Sequence, residues 1–229
     1  MARPATRRIW RWAGGVLGLA FAIMLVVHLP PVRGWLAARG HHGGGVCPLG
    51  YGTGQVADRA TRRAHDDAWR GALPALARPA LGFTLDVTTR ADIERWARAN
   101  GVACHAMNGG VRIACVDVPA AALADGGLAA SSVWLDLDDR GALIAVTTVR
   151  RDPDVRPVAS AFAAVEHAVT TRAGAPTTRA GSAAPDVLGH GALRQAMVEY
   201  RFTTYRAVVR ATHVGDAFVL TEQYVALAD

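Results

Sequence analysis

The sequence predicts an α+β fold, in which a two-helix domain on an antiparallel β-sheet follows an N-terminal transmembrane helix. One uncharged apolar run near the N-terminus predicts the membrane helix. Further along, apolar residues alternate with polar ones as in half-buried strands, and two other segments carry apolar residues at helical spacing. Together with a hydrophobic content of 51%, these patterns indicate a packed core.

Residues 12–31 are predicted to form a transmembrane signal-anchor helix. The stretch Trp12–Leu29 holds no charged residue, and at ~1.5 Å per residue it would span ~27 Å, close to a bilayer core. Four arginines lie in residues 1–11, whereas Arg33 and Arg39 are the nearest basic residues beyond the run. This asymmetry places residues 1–11 in the cytoplasm and the rest of the chain outside it.

We therefore expect a single-pass protein of a bacterial inner membrane, with its C-terminal domain in the periplasm. Arginine-only basic residues with abundant Ala, Gly and Val favour a GC-rich bacterial genome. The alternative is a secreted protein released by signal cleavage. Its nearest cleavage motif, residues 36–38, has leucine where a small residue is preferred.

Charge and composition exclude several classes of function. The chain contains no lysine, which excludes a Schiff-base lysine and a Walker-type phosphate loop. Without the four leading arginines, 21 basic residues face 19 acidic ones, and no basic cluster is interleaved with aromatics. A nucleic-acid partner is therefore not expected. No cofactor motif or convincing metal-ligand spacing was found, although His41, His42 and Cys47 could bind a soft metal.

Residues 32–81 are interpreted as a Gly/Pro-rich tether that contains one short helix, and residues 82–229 as the extracytoplasmic domain. The helix is predicted over Val56–Trp69, where small apolar residues recur every four positions. Within the domain, Phe83–Val87 alternates like a strand. Thr89 and Asp92 then form a capping box that starts a helix, which Asn100 and Gly101 end.

Two runs flanking Gly109 and Gly110 predict a β-hairpin with a two-residue turn. In that register Cys104 faces Cys115 at a separation that a disulfide tolerates. The bond requires an oxidising compartment, in agreement with the topology. Cys47 would remain as a free thiol or as a link to another chain.

The remaining segments complete a repeated pattern. Val133–Leu137 and Ala142–Val149 are predicted strands, and a strong apolar stripe predicts a helix opening at Pro157. Residues 177–191 are predicted to be a loop, and three strands are predicted at 193–203, 205–214 and 217–227. This order indicates a possibly duplicated helix-plus-strands unit. Over residues 83–227 it resembles the tandem helix-plus-sheet repeats of β-lactamase-inhibitor proteins and small outer-membrane assembly lipoproteins. The resemblance lies in element order and assigns no residue a role.

Glu222 is the one unusual residue in the predicted sheet. In the register of the last hairpin it faces Val209 and shares an apolar face with Tyr224. A carboxylate there must be paired, shifted in pKa or at a solvent edge. Arg201 and Arg206 are the expected partners. Glu222, Tyr200 and Tyr224 are the candidate binding residues, the aromatic residues either as core or as a partner-binding face. No catalytic residue is identified, since no nucleophile has a sequence-adjacent base.

Three hypotheses follow. The first is a membrane-anchored envelope protein whose domain binds a protein or envelope component without catalysis, the membrane contact being residues 12–31. The second is an envelope hydrolase with an unrecognised site. The third is a disulfide-stapled domain that forms oligomers through Cys47.

Overall fold

Eight antiparallel strands and three helices make up most of the part of the chain that the computed structural model describes, residues 66–124, 127–191 and 193–227. The fold is α+β, as predicted. The predicted segments 1–11 and 12–31, Cys47, most of the tether 32–81 and most of the helix Val56–Trp69 lie outside the described residues. Within the described residues, no helix has the length and apolarity needed to cross a membrane.

The elements follow one another along the chain in two similar series. A short hairpin of β1 and β2 precedes helix α1 and strands β3 to β6; helix α2 then precedes strands β7 to β10, with a short helix α3 after β7. Their bounds are β1 Pro79–Ala80, β2 Phe83–Thr84, α1 Arg90–Ala99, β3 Ala103–Met107, β4 Arg112–Val118, β5 Ala130–Leu137, β6 Leu143–Asp152, α2 Val155–Ala173, β7 Thr178–Ala180, α3 Pro185–Leu188, β8 Gln195–Arg201, β9 Tyr205–Val214 and β10 Ala217–Ala226.

The large sheet joins the two series through their last strands. Its order is β3-β4-β5-β6-β10-β9-β8-β7, and every neighbouring pair is antiparallel. Each series therefore forms a meander of four strands, and β6 pairs with β10 at the centre. Consequently β3 and β7 are the two edge strands.

Helix α1 begins and ends where the sequence predicts. The Thr89 side chain accepts a hydrogen bond from the Asp92 amide, and the Asp92 carboxylate accepts from the Thr89 amide at 2.9 Å. This capping box satisfies two amides that the helix itself leaves without partners. After the helix, Gly101 adopts a φ of 63°, a conformation that ends a helix at little cost for glycine.

Helix α2 starts two residues before the predicted position. Asp154 is its N-cap and accepts from the Arg156 amide, so Pro157 lies inside the first turn. Pro is tolerated there because amides of the first turn have no intrahelical partner. The predicted apolar stripe is fully buried and consists of Val158, Phe162, Val165 and Val169.

Both helices contribute to one core on one face of the sheet. Ile93 of α1 and Phe162 of α2 belong to the same buried cluster as Val133, Leu135 and Tyr224 of the sheet. Side chains alternate along a strand, so the neighbouring residues point to the opposite face. We call this opposite face the open face, because helices α1, α2 and α3 do not pack on it. Trp69 lies over Arg201 and Arg206 there, and Ala145, Val225 and Leu227 form a small buried cluster on the same face.

Three local predictions differ from the structure. The predicted strand Phe83–Val87 ends at Thr84, because Asp86 takes a φ of 63° and the Thr88 amide bonds the Thr84 carbonyl. The predicted two-residue turn is a longer loop with a 3-10 turn at Asn108–Gly110. The predicted loop 177–191 holds β7 and α3.

The register of the first hairpin is nevertheless the predicted one. Cys104 pairs with Cys115 in the β3–β4 ladder, and their sulfur atoms are 2.02 Å apart. A third contact holds the same hairpin, because the Arg90 guanidinium of α1 donates to the Gly110 carbonyl. Edge strand β3 is thus fixed to its neighbour by a covalent bond and a hydrogen-bonded loop.

We expect the disulfide to contribute about 3 kcal/mol to the free energy of unfolding, because it closes a short loop in the unfolded chain. Replacing both Cys104 and Cys115 by Ser in a Cys47→Ser background should lower the denaturation midpoint accordingly. Guanidinium unfolding of the solubilised full chain measures this. The Cys47→Ser protein is the control, and equal midpoints for the two proteins would contradict the prediction.

Candidate functional site

Glu222 lies at the centre of the sheet, where the two series of elements meet. It is on β10, opposite Thr148 of β6 and Val209 of β9, and its side chain is fully buried on the core face. Its pairing with Val209 is the predicted one. Its ion-pair partner is Arg150, whose side chain is also fully buried.

Three side chains donate hydrogen bonds to the Glu222 carboxylate. Arg150 Nε lies 2.7 Å and Thr148 Oγ1 3.0 Å from Oε1, while the Tyr224 hydroxyl lies 2.5 Å from Oε2. Arg150 Nη1 also donates to the Leu128 carbonyl at 2.8 Å. Both carboxylate oxygens therefore accept hydrogen bonds, as a buried charge requires.

Tyr224 acts as a permanent donor in this cluster. Burial raises the pKa of its phenol well above the usual range, and the Glu222 charge beside it acts in the same direction. The phenol therefore keeps its proton at physiological pH. This group of Thr148, Arg150, Glu222 and Tyr224, which we call the central cluster, is a buried ion-pair network. Both carboxylate oxygens of Glu222 are engaged in it.

A small cavity adjoins the central cluster. It has a volume of about 140 Å³ and lies between Val165 and Val169 of α2, the turn at Leu81, and Glu222 and Tyr224 of the sheet. Typical small-molecule sites have ~300–1,000 Å³. The cavity is therefore small for a substrate site.

Tyr200, the third candidate residue, lies apart from the other two. Its hydroxyl bonds Thr170 Oγ1 at 2.9 Å and the Glu166 carbonyl at 3.0 Å, which fixes β8 to helix α2. Burial raises the pKa of this phenol as well. The structure thus brings Glu222 and Tyr224 together and gives Tyr200 a structural contact with the helix.

The predicted pairing of Glu222 with Arg201 or Arg206 is wrong, because both arginines lie on the open face. They pair there with Glu199, at 2.9 Å from Arg201 and 2.8 Å from Arg206. Burial tends to raise the pKa of Glu199, but the hydrogen bonds from the two arginines outweigh it, and the net pKa is lowered. Arg206 also lies 4.0 Å from the centre of the Trp69 ring.

The pairing register arranges the side chains of the open face in rows across the sheet. One row runs Met197, Arg210, Thr221, Val149, Ser132, Val116. The next runs Glu199, Val208, Gln223, Thr147, Trp134, Ala114. Apart from Arg210 and Glu199, these rows carry apolar, hydroxyl and amide groups. The half-buried Trp134 is the largest of them.

Arg210 differs from the other half-buried arginines of the open face, Arg112, Arg201 and Arg206. Arg201 and Arg206 pair with Glu199 and Arg112 pairs with Asp136, but Arg210 makes no ion pair with the described residues. Its Nη2 contacts Met197 Sδ at 3.6 Å, and its buried Nε, like that of Arg201, has no hydrogen-bond partner. A buried guanidinium nitrogen without an acceptor is costly, and a carboxylate is the acceptor that suits it best.

Two histidines of the sheet lie away from the central cluster. His105 lies exposed on edge strand β3, and His213 bonds the Gly191 carbonyl and stacks on Phe218. In the part of the chain that the structure describes, no three His, Cys, Asp or Glu side chains are placed to hold a metal. A second cavity of about 330 Å³ lies between α2, β7 and β8, and its charged lining residues Glu166 and Arg179 pair with each other.

No family model, curated protein or solved structure matches this chain. The resemblance to tandem helix-plus-sheet repeats therefore rests on element order.

We expect the central cluster to be a structural requirement. Arg150→Met removes the guanidinium from the buried Glu222 carboxylate and should cost about 3–5 kcal/mol of unfolding free energy. Arg210→Met on the open face breaks no ion pair among the described residues and removes a buried nitrogen without an acceptor, so it should not lower the unfolding free energy. Denaturant unfolding of both variants measures the difference. If both variants lost the same unfolding free energy, the buried ion pair would not be a structural requirement.

Proposed function

We propose that this protein is a membrane-anchored envelope protein whose α+β domain binds a partner protein on the open face, without catalysis. Residues 12–31 would hold it in a bacterial inner membrane, with the domain in the periplasm. The observation that carries the binding role is Arg210, a half-buried arginine on a sheet face that helices α1, α2 and α3 do not cover.

The composition of the open face supports a protein partner. Trp134 lies among Thr147, Val149, Thr221 and Gln223, which are all half-buried. An aromatic anchor surrounded by small apolar and hydrogen-bonding side chains is typical of protein interfaces. Such a surface suits a broad, shallow contact better than a small substrate, which binds in a concave pocket.

Arg210 indicates the chemistry of the partner. Because its guanidinium lacks a carboxylate among the described residues, a partner that places an Asp or Glu side chain over Met197 and Thr221 would complete its hydrogen bonding. The paired arginines Arg201 and Arg206 lie farther along the same face. We therefore commit to an acidic protein segment as the ligand of the open face.

The proposed location draws on independent features. The arginine asymmetry around residues 12–31 favours export of the domain. The Cys104–Cys115 bond fits an oxidising compartment such as the periplasm. Release as a secreted protein is the alternative that the same features allow, and it would leave the open face and its proposed partner chemistry unchanged.

We expect a photo-reactive residue at Trp134 to crosslink a specific protein in cells of the source bacterium. The same residue at Glu94, exposed on helix α1, is the control and should not capture that protein. Adding Arg210→Glu should abolish the crosslink, because it places a like charge before the acidic partner. Arg140→Glu, in the exposed turn after β5, is the charge-matched control and should leave the crosslink intact.

Once the captured protein is purified, its dissociation constant from this protein and from the Arg210→Glu variant can be measured. Arg210→Glu should weaken binding by on the order of a hundredfold, since it removes a charge-assisted contact and adds repulsion. A crosslink that persists in Arg210→Glu, or equal capture at Glu94, would overturn the proposal. Glu222→Gln should retain the partner if it folds, because the central cluster lies on the other face.

We expect one alkylated thiol on a full-length chain when membrane-extracted protein is alkylated without reduction and its intact mass is measured. The disulfide protects Cys104 and Cys115, which leaves Cys47 to react. Three alkylated thiols would contradict the bond in cells and export with it. A mass lacking the first thirty to forty residues, on the order of a signal peptide with its flank, would make the protein a secreted one.

A further inference from the structure

The two edges of the eight-stranded sheet differ in how they are protected. Edge strand β7 has three residues, carries Arg179 in an ion pair with Glu166, and leaves the sheet at Gly181. Shortness and charge are the usual means by which proteins block pairing at a sheet edge. Edge strand β3, in contrast, has five residues, no Asp, Glu, Arg or Pro, and four of its five side chains exposed.

The main-chain groups at the outer edge of β3 can be assigned from the ladder. The Cα atoms of Cys104 and Cys115 are 4.1 Å apart, the spacing of a non-hydrogen-bonded antiparallel pair. The amide and carbonyl of Cys104 therefore point away from β4, and those of Ala106, two residues on, do the same. Neither residue makes any other main-chain hydrogen bond in the described structure.

Two restraints keep the outer edge of β3 in an ordered strand conformation. The disulfide fixes the middle of the strand, and the Arg90–Gly110 contact fixes the loop that follows it. An edge that is already ordered loses little conformational entropy when a further strand adds to it. The restraints that hold β3 therefore favour strand addition at this edge.

We propose that β3 is a dimerisation edge, at which the β3 strand of a second copy adds antiparallel about a twofold axis at His105. In this register Cys104 faces the partner's Ala106, and the two residues exchange both main-chain hydrogen bonds. The axis generates the second such pair. His105 faces the partner's His105 on the open-face side, and Met107, which is 39% exposed, lies beside the partner's Ala103.

The sequence of β3 suits a second copy as the occupant. Self-pairing about a dyad places each residue opposite its own equivalent or a near neighbour, so any charged residue would meet like charge. Strand β3 contains no Asp, Glu, Arg or Lys. Because β7 at the far edge is protected, addition stops at two copies and gives a closed dimer instead of a filament.

A charge-swap pair at His105 tests both the occupant and the register. The full-length chain in detergent, carrying Cys47→Ser to exclude a covalent link, should be a dimer by sedimentation equilibrium. His105→Glu and His105→Arg should each weaken the dimer by on the order of tenfold, because like charges then face each other. An equimolar mixture of the two, distinguished by different tags, should form heterodimers at least as tightly as the parent chain.

Thr178→Glu and Thr178→Arg on edge strand β7 are the matched controls, and neither should alter the dimer. An intact disulfide and an unchanged far-ultraviolet circular dichroism spectrum show that each variant is folded. A monomeric parent chain would overturn the proposal. A dimer that tolerates both His105 variants, or variants that weaken it without restoration in the mixture, would overturn it as well. The outcome is independent of partner capture at Trp134.

Discussion

The buried ion pair between Arg150 and Glu222 is the constraint on which the arrangement of the sheet depends. It lies where β6 pairs with β10, the one junction between the two four-stranded meanders. A slip of one residue would turn Glu222 to the open face and move apolar neighbours away from the core. Buried ion pairs add little net stability compared with apolar packing. The main effect of this pair is therefore on the register in which the two halves join.

Short-range patterns in the sequence predicted most of the helices and strands. They did not specify which strands pair when the strands are far apart in the chain. The capping box of Thr89 and Asp92 and the two hairpin registers depend on neighbouring residues, and the structure has all three. The partner of Glu222 depends on β6 lying beside β10, which are about seventy residues apart, and no periodicity specifies such a pairing. Strand β7 was missed because its Gly- and Pro-rich surroundings are typical of a loop.

The same limitation explains what the sequence revealed of the candidate site. It marked Glu222 as a carboxylate on an apolar face, which is correct, but it could not show that three donors already satisfy it. The sequence did not distinguish Arg210 from Arg206, because both alternate along the same strand and their ion-pair partners depend on the fold. Among the described residues, the buried side-chain nitrogens without a hydrogen-bond partner are the Nε atoms of Arg201 and Arg210, and both lie on the open face.

The two proposals, taken together, have a geometric consequence. Antiparallel addition of β3 to the partner's β3 continues one sheet, and its twofold axis runs perpendicular to that sheet. The open faces of both copies then point in the same direction, with Trp134 and Arg210 repeated on each side of the axis. A partner with two acidic segments would bind the second copy at a high effective concentration. Dimerisation would thereby raise the apparent affinity for such a partner without any new contact on the open face.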